Sequence, residues 1–260
     1  MLNKSENKSY NYSSYNKMIK RRTALIGLLL FITFILFVLN ISIGSSEISL
    51  SEIFQAIISG IGQGHNVMII RDIRLPMSLM ALAVGACLGI AGCGIQTILR
   101  NPIASPYTLG ITNAATFGAA LGLILNTSIL KVSESMMVTT NAFVFALLAS
   151  IIIYVFSTKR GAGKNTIILF GMALNFLFNA LTMILQYVSD DEDLKSLMFW
   201  NMGSMLKTTW SKFLIVLAAL IFSFIILYKN AWKLTAMTLE DTKAKSLGVD
   251  TQKMRRMVIL

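Results

Sequence analysis

The chain has 260 residues, of which 55% are hydrophobic and only 13% charged, and its mean hydropathy is +0.68. Soluble domains carry about 25% charged residues, so a soluble enzyme and a disordered chain are both excluded. The net charge of +11 would suit a nucleic-acid binder, but the charges lie between long apolar runs instead of on one surface, which points to a membrane and not to nucleic acid.

The uncharged runs, in chain order, are Thr23–Ser46, Leu75–Leu99, Asn101–Leu130, Ser135–Thr158, Asn165–Ser189 and Phe213–Tyr228. A bilayer-spanning helix needs about 20 apolar residues. Five runs meet that length. The sixth meets it if Trp210 and Trp232 mark its interfacial ends. The first run follows Lys20-Arg21-Arg22 as a signal peptide would, but its apolar part is too long for one and no small-x-small cleavage pattern follows. It reads as a retained span. The expected fold is all-α, a polytopic membrane helix bundle with six spans and the start of a seventh.

Orientation follows from the basic residues of the connecting segments. With the N-terminus inside, segments 1–22, Arg100, 159–164 and 229–256 hold 17 of the 23 Lys and Arg, and the segments on the other side hold 6. The expected location is a bacterial plasma membrane, multi-pass, with residues 1–22 as a cytoplasmic tail and 23–260 as the membrane domain. None of the six runs contains a charged residue, which weighs against a proton- or sodium-coupled carrier.

Cys87 and Cys93 lie six apart in the second run, about 120° apart on a helix, so they form no disulfide within it. His65 has no cluster of ligands near it and reads as a loop residue, so no metal site and no catalytic constellation are expected. Pro76 is placed in the first turn of the second span, where its missing N–H is harmless. Pro102 and Pro106 stop that span and shape the following turn.

Small residues recur at helical spacing at Ala81, Gly85, Gly89 and Gly92, and again at Ala115, Gly118, Ala119 and Gly122. Both stripes fit close helix packing. In the fifth run Asn175, Asn179 and Gln186 fall on one helical face. Amides there avoid lipid, so the face meets other helices or lines a water-filled path. Asn113 of the third run joins them as a candidate for the translocation path.

The last inside segment contains two short helices by expectation. Glu240 and Asp241 begin the first and suit its positive end, Gly248 stops it, and Asp250 begins the second. Leu239, Ala244 and Leu247 can share one side. Such a knob, 239–256, suits docking to a partner. The chain has no nucleotide site of its own: Gly161-Ala162-Gly163-Lys164-Asn165 lacks both the first Gly and the Ser/Thr of a P-loop.

These words, in this order, resemble the FecCD-type permeases of ATP-binding cassette (ABC) importers for iron-siderophores, haem and cobalamin. Ile73-Arg74-Leu75-Pro76 with Leu82-Ala83-Val84-Gly85-Ala86 is similar to the family's second-span signature. Arg100-Asn101-Pro102-Ile103-Ala104-Ser105-Pro106 with Leu109-Gly110 is similar to its R-N-P turn. Gly171-x-Ala173-Leu174, Trp200-x-Met202-Gly203-Ser204 and Ala244-x-Ser246-Leu247-Gly248 also match.

The resemblance implies ten spans in an intact member, so the chain is expected to be C-terminally truncated. It implies pairing with a second permease copy or paralogue, with the pathway along the dimer axis. It implies an ATP-binding cassette subunit that grips the segment at Leu239, Glu240, Ala244, Ser246, Leu247 and Gly248. ATP and Mg would belong to that subunit, so this one is no enzyme and binds no cofactor. It implies an external solute-binding protein or lipoprotein docking on Arg74. Arg71, one turn earlier, is the substitute where the family's second arginine is replaced by Met77. A cytoplasmic gate is implied at Lys164 and Asn165. The alternative to transport is a non-transporting membrane scaffold that pairs with a full-length permease.

Overall fold

The computed structural model describes residues 4–44, 53, 65–158 and 163–260. All regular elements among them are helical: α1 (Lys4–Ser42), α2 (His65–Met68), a π-helical turn (Ile69–Arg74), α3 (Leu75–Leu99), α4 (Ile111–Ile124), α5 (Glu134–Ser157), α6 (Lys164–Val188), α7 (Asp191–Met202), α8 (Trp210–Lys229), α9 (Ala231–Met237), α10 (Asp241–Ser246) and α11 (Thr251–Ile259). Helices satisfy every backbone group within one segment, which hydrocarbon demands. Five are long and apolar enough to cross a membrane: Tyr15–Ser42, Asn66–Leu99, Met136–Ser157, Lys164–Val188 and Trp210–Lys229.

The third run differs from expectation. Of Asn101–Leu130 only Ile111–Ile124 is helical, about 21 Å long at 1.5 Å per residue, against a hydrocarbon core of about 30 Å. Pro102 and Pro106 keep residues 101–110 in turns. Asn101 Oδ1 accepts from the Ile103 amide at 3.0 Å. Ser105 and Thr108 exchange side-chain and backbone bonds at 2.9–3.3 Å. Irregular backbone at membrane depth needs protein around it, and Ala104 and Leu109 are buried.

The chain divides into two compact units, one of residues 1–81 with 208–213 and one of 82–207 with 214–260. In the first, α1 exposes nearly its whole apolar surface from Tyr15 to Leu36, as a lipid-facing helix does. Near its end Ile41 is buried with Ile53 and Ile70 against Phe37, Val67, Ile69 and Leu75. Ser78 donates to Asn40 Oδ1 at 2.7 Å.

Pro76 does not start its helix: the helix runs unbroken from Asn66 to Leu99, and His65 opens α2 instead of lying in a loop. A proline inside a helix removes one N–H and crowds the preceding turn. Here the preceding turn is widened to π geometry, and the Leu75 amide donates to Ile70 O, one residue further back than in an α-helix. That shift withdraws the Leu75 donor from Arg71 O, and Pro76 has no N–H to replace it. The indole of Trp210 supplies the bond at 3.1 Å.

In the second unit α4 is the central element. Its Ala114, Gly118, Ala119, Ala120 and Gly122 are buried. A Cβ on Gly118 would overlap the backbone carbonyl of Asn141, and one on Gly122 would lie 3.2 Å from Val138 Cα. The α4 stripe is therefore a backbone-to-backbone contact with α5. The stripe of the second run is not: Gly85, Gly89 and Gly92 meet nothing within 4 Å. Phe117, Phe145 and Phe178 join α4, α5 and α6 with ring centroids 5.0–6.3 Å apart. On α6 the buried residues Ile167, Gly171, Leu174, Phe178 and Thr182 recur at three- and four-residue steps, one face of a helix.

Candidate functional site

The segment 239–256 folds as its residues require. Asp241 begins α10, Gly248 follows its end with φ +80°, and Asp250 caps α11 by accepting from the Lys253 amide at 2.9 Å. Ala244, Val249, Met254 and Ile259 turn inward and pack in one core with Ile95, Ile98 and Leu99 of α3 and with Ala236 and Met237 of α9. A Cβ on Gly94 of α3 would lie 2.9 Å from Val258 of α11. The expected shared side of Leu239, Ala244 and Leu247 is not formed. Ala244 is buried, whereas Leu239 and Leu247 are exposed, because the chain turns at Gly248 and α11 packs on α5 and α9. Glu240, Ser246 and Gly248 are exposed with the two leucines.

One carboxylate ties this segment to the end of α3. Asp241 accepts from Arg255 at 2.8 and 2.9 Å through both oxygens, and from Arg100. Arg255, 3% exposed, also donates from Nε to Ile98 O at 3.3 Å. Burial alone would raise the Asp241 carboxyl, but the Arg255 hydrogen bond and the charges of Arg255, Arg100 and Lys245 outweigh it and hold the carboxyl below the usual range. A depressed carboxylate stabilises the folded state fully above its unfolded value of about 3.9, and that contribution is lost as pH falls through the folded value. We therefore expect attachment of 239–256 to be pH-independent from neutral down to about pH 4 and to weaken below it. Hydrogen exchange of the α10 and α11 amides at stepped pH measures this; weakening between pH 5 and 7 would contradict it.

Arg100 closes α3. Its amide donates to Thr97 O and that of Asn101 to Gln96 O, the paired bonds of a left-handed helix terminus, and Arg100 has φ +49°. The following turn meets α6. Gly110, with φ +78°, lies so close that a Cβ would be 2.7 Å from the Asn175 amide nitrogen. A Cβ on Gly171 would be 2.9 Å from Leu109 Cα. The Leu109-Gly110 and Gly171-x-Ala173-Leu174 motifs are thus two sides of one contact. Asn175 seals it: its Nδ2 donates to Tyr107 O at 2.9 Å and its Oδ1 accepts from Asn113 at 2.7 Å.

The structure therefore separates the expected amide face. Asn113 and Asn175 bond to each other across two helices, while Asn179 is exposed and Gln186 half-buried further along α6. Of the expected gate, Lys164 is half-buried in the first turn of α6 and Asn165 exposed. Segment 159–162, with part of the near P-loop sequence, lies outside the described residues, as do 45–52 and 54–64 of the other long connection.

The two arginines exchange places in importance. Arg74 is 5% exposed, and its Nη1 donates to Ile41 O at 2.7 Å and Ser42 O at 3.0 Å. It caps the carbonyl end of α1, where a cation is favoured. Its guanidinium is not an exposed docking charge. Arg71 is exposed and lines a cleft with Val67, Met68, Asp72 and Trp210.

Two residues, Arg255 and Asn141, were not singled out from the sequence, and Asp241 was singled out only as a helix start. Arg255 and Asp241 meet only through a fold between two short helices. Asn141, wholly buried in α5, donates to Thr127 O at 2.7 Å and accepts from the Ile129 amide at 3.1 Å, stapling the loop after α4. An asparagine within an apolar run was the available signal. The helix α7 was also not expected; Asp190 caps it by accepting from the Glu192 and Asp193 amides, and Thr116 donates to Asn201 at 3.2 Å. Among the described residues no group of three or more His, Cys, Asp or Glu side chains is placed to hold a metal.

Comparison with known proteins bears on the same contacts. A chain of Methanocaldococcus jannaschii classed as ABC transporter permease protein MJ0087 is 32% identical over 247 residues, 92% of this chain and 70% of its own. The molybdate import system permease protein MolB of Haemophilus influenzae is 36% identical over 192 residues, 74% of this chain and 56% of its own. This chain thus spans between about half and 70% of the length of those relatives. A solved structure of a chain classed as a metal-chelate type ABC transporter, in an inward-facing conformation, superposes with TM-score 0.75 at 32% identity, covering 92% of this chain and 71% of that one. The profile of the FecCD transport family matches residues 30–260, a span that holds the R-N-P turn, its α6 partner and the segment 239–256, and the chain belongs to that family.

Proposed function

We infer that the chain is the membrane permease subunit of an ABC importer, which passes a metal chelate or metal oxyanion delivered by an external binding protein. The observation that carries this reading is segment 239–256: two capped helices, locked inwardly to α3 by Asp241 and its core residues, with Leu239, Lys243, Lys245 and Leu247 left at the surface. A rigid, exposed handle suits a cassette subunit that binds ATP elsewhere. The name of MolB and the description of the solved relative support the cargo class; siderophore, haem and cobalamin chelates fall within it.

On this reading the Arg100 end faces the cytoplasm, a second permease copy completes the pathway, and the flanking surface is lipid. Contact between Arg100 and Asp241 supports placing their two segments on one side. The binding protein meets the cleft around Arg71, with Arg74 as its internal brace. Asn179 and Gln186 face the path, and Lys164 and Asn165 lie at its inner end. ATP binding closes the cassettes and draws the handle with them, because the closed and open cassettes hold it with different affinity.

Leu247→Asp is the test of the handle, because Leu247 is exposed and its replacement leaves the core intact. We expect it to reduce co-purification of the cassette subunit by about tenfold, the loss of one interface anchor, with membrane insertion unchanged. Ala244→Asp would not serve, since it buries a charge. Full cassette retention by the Leu247 variant would remove the handle from the interface.

A further inference from the structure

Resting on the permease reading, the strongest arrangement outside its expected sites is the cluster of Arg100, Asp241 and Arg255. We propose that Arg100 is a positioning residue for transport: through Asp241 it holds the handle to the end of α3, so that movement of the handle is delivered to the turn 101–110 and from there to α6.

Four observations converge. First, the cluster bridges three pieces of chain: Arg100 after α3, Asp241 at the start of α10 and Arg255 in α11, with Arg255 also bonded to Ile98 O. Second, Arg100 occupies a left-handed backbone position. Glycine takes that position without cost, whereas an L side chain costs about 1–2 kcal/mol. Its side chain reaches the Asp241 carboxylate. Third, two guanidinium groups share one carboxylate, so losing Asp241 would leave like charges together, one of them almost fully buried. Fourth, contact continues without a gap. The turn after Arg100 carries Leu109 and Gly110, which lie against Gly171 and Asn175, and Asn175 is bonded to Asn113. Asn179 stands one turn further along the same helix.

The substitution that separates positioning from stability is Arg100→Gly. It relieves the left-handed strain and removes the guanidinium, so the fold is retained. With Cys87 and Cys93 replaced by serine, a nitroxide at Ser246→Cys, an exposed site, reports on the handle in the full chain in nanodiscs. Arg100→Gly is expected to increase the label's mobility, and Arg100→Lys to restore most of the parent line shape. In the transporter assembled with its cassette and binding protein, Arg100→Gly is expected to keep cassette binding and basal ATP hydrolysis. Radiolabelled ferric hydroxamate or molybdate moved per ATP should fall by about tenfold.

An unchanged label mobility overturns the lock, whatever transport does. A freed handle with unchanged cargo per ATP overturns the transmission. Absence of ATP-driven uptake of ferric hydroxamate, haem, cobalamin and molybdate alike by the parent removes the permease reading, and the proposal falls with it. Uncoupling confined to Arg100→Gly sustains both.

Discussion

Gly110→Val is expected to destabilise the second unit strongly. At φ +78° a β-branched residue is a genuine conformational outlier, and the left-handed backbone costs about 1–2 kcal/mol. The new Cβ would also sit 2.7 Å from the Asn175 amide nitrogen and 3.1 Å from Gly171 O. Those are backbone atoms of a packed helix and cannot rotate away. Overpacking against such atoms adds about 1–3 kcal/mol. A combined loss of about 2–5 kcal/mol is a large share of the ~5–15 kcal/mol that holds an ordinary domain. Gly248→Val is the matched control. Gly248 has φ +80° at the left-handed end of α10 but meets nothing within 4 Å, so only the backbone cost of about 1–2 kcal/mol applies. Thermal unfolding in detergent, followed by tryptophan fluorescence, should show the larger shift at Gly110. Equal shifts would mean that the contact between the turn and α6 does not limit stability.

Arg74→Glu is expected to be a folding defect and not a docking defect. The substitution removes two charge-assisted bonds, each worth about 1.5–3 kcal/mol, and sets a carboxylate against the Ile41 and Ser42 carbonyl oxygens. The joint cost is about 3–5 kcal/mol or more. Arg71→Glu, at an exposed site, should change stability by no more than about 0.5 kcal/mol while turning the cleft, where Asp72 balances Arg71, net negative. Protease resistance and folded yield in membranes separate the two. A well-folded Arg74 variant that fails only in binding-protein docking would restore Arg74 to the external surface. Gly44 supports the structural reading, because a Cβ there would lie 2.5 Å from Arg74 Nη2.

The legible parts of the sequence were those decided by local physics. Apolar length located the spanning helices, since hydrocarbon tolerates few other backbone states. Capping chemistry located α10 and α11: Asp241 supplies negative charge at one start, Asp250 a side-chain cap at the other, and Gly248 a left-handed stop between them. Proline chemistry placed the turn 101–110. In each case the cause lies within a few residues of the effect.

The failures share one cause as well. Arg74 and Arg71 are one turn apart in sequence, and only the end of α1, some thirty residues earlier, decides which is buried. Pro76 reads as a helix start until Trp210, 139 residues from Arg71, is found bonded to the carbonyl left without a donor. Asn175 and Asn179 look alike on a helical wheel, yet Tyr107 and Asn113 engage only the first. Gly85 and Gly118 sit in similar small-residue stripes, and only Gly118 meets another helix.

What the amino-acid order determined alone is therefore the membrane class, the helical segments, the uneven distribution of basic residues among the connecting segments, and a pair of short capped helices at 241–259. Burial of one arginine over another, the Arg100–Asp241–Arg255 cluster and the seating of Leu109 and Gly110 on α6 were decided by tertiary structure. These depend on which distant backbone happens to lie opposite. Helical periodicity specifies a face but not its neighbour, and the energy of a buried charge or a missing Cβ is set by that neighbour.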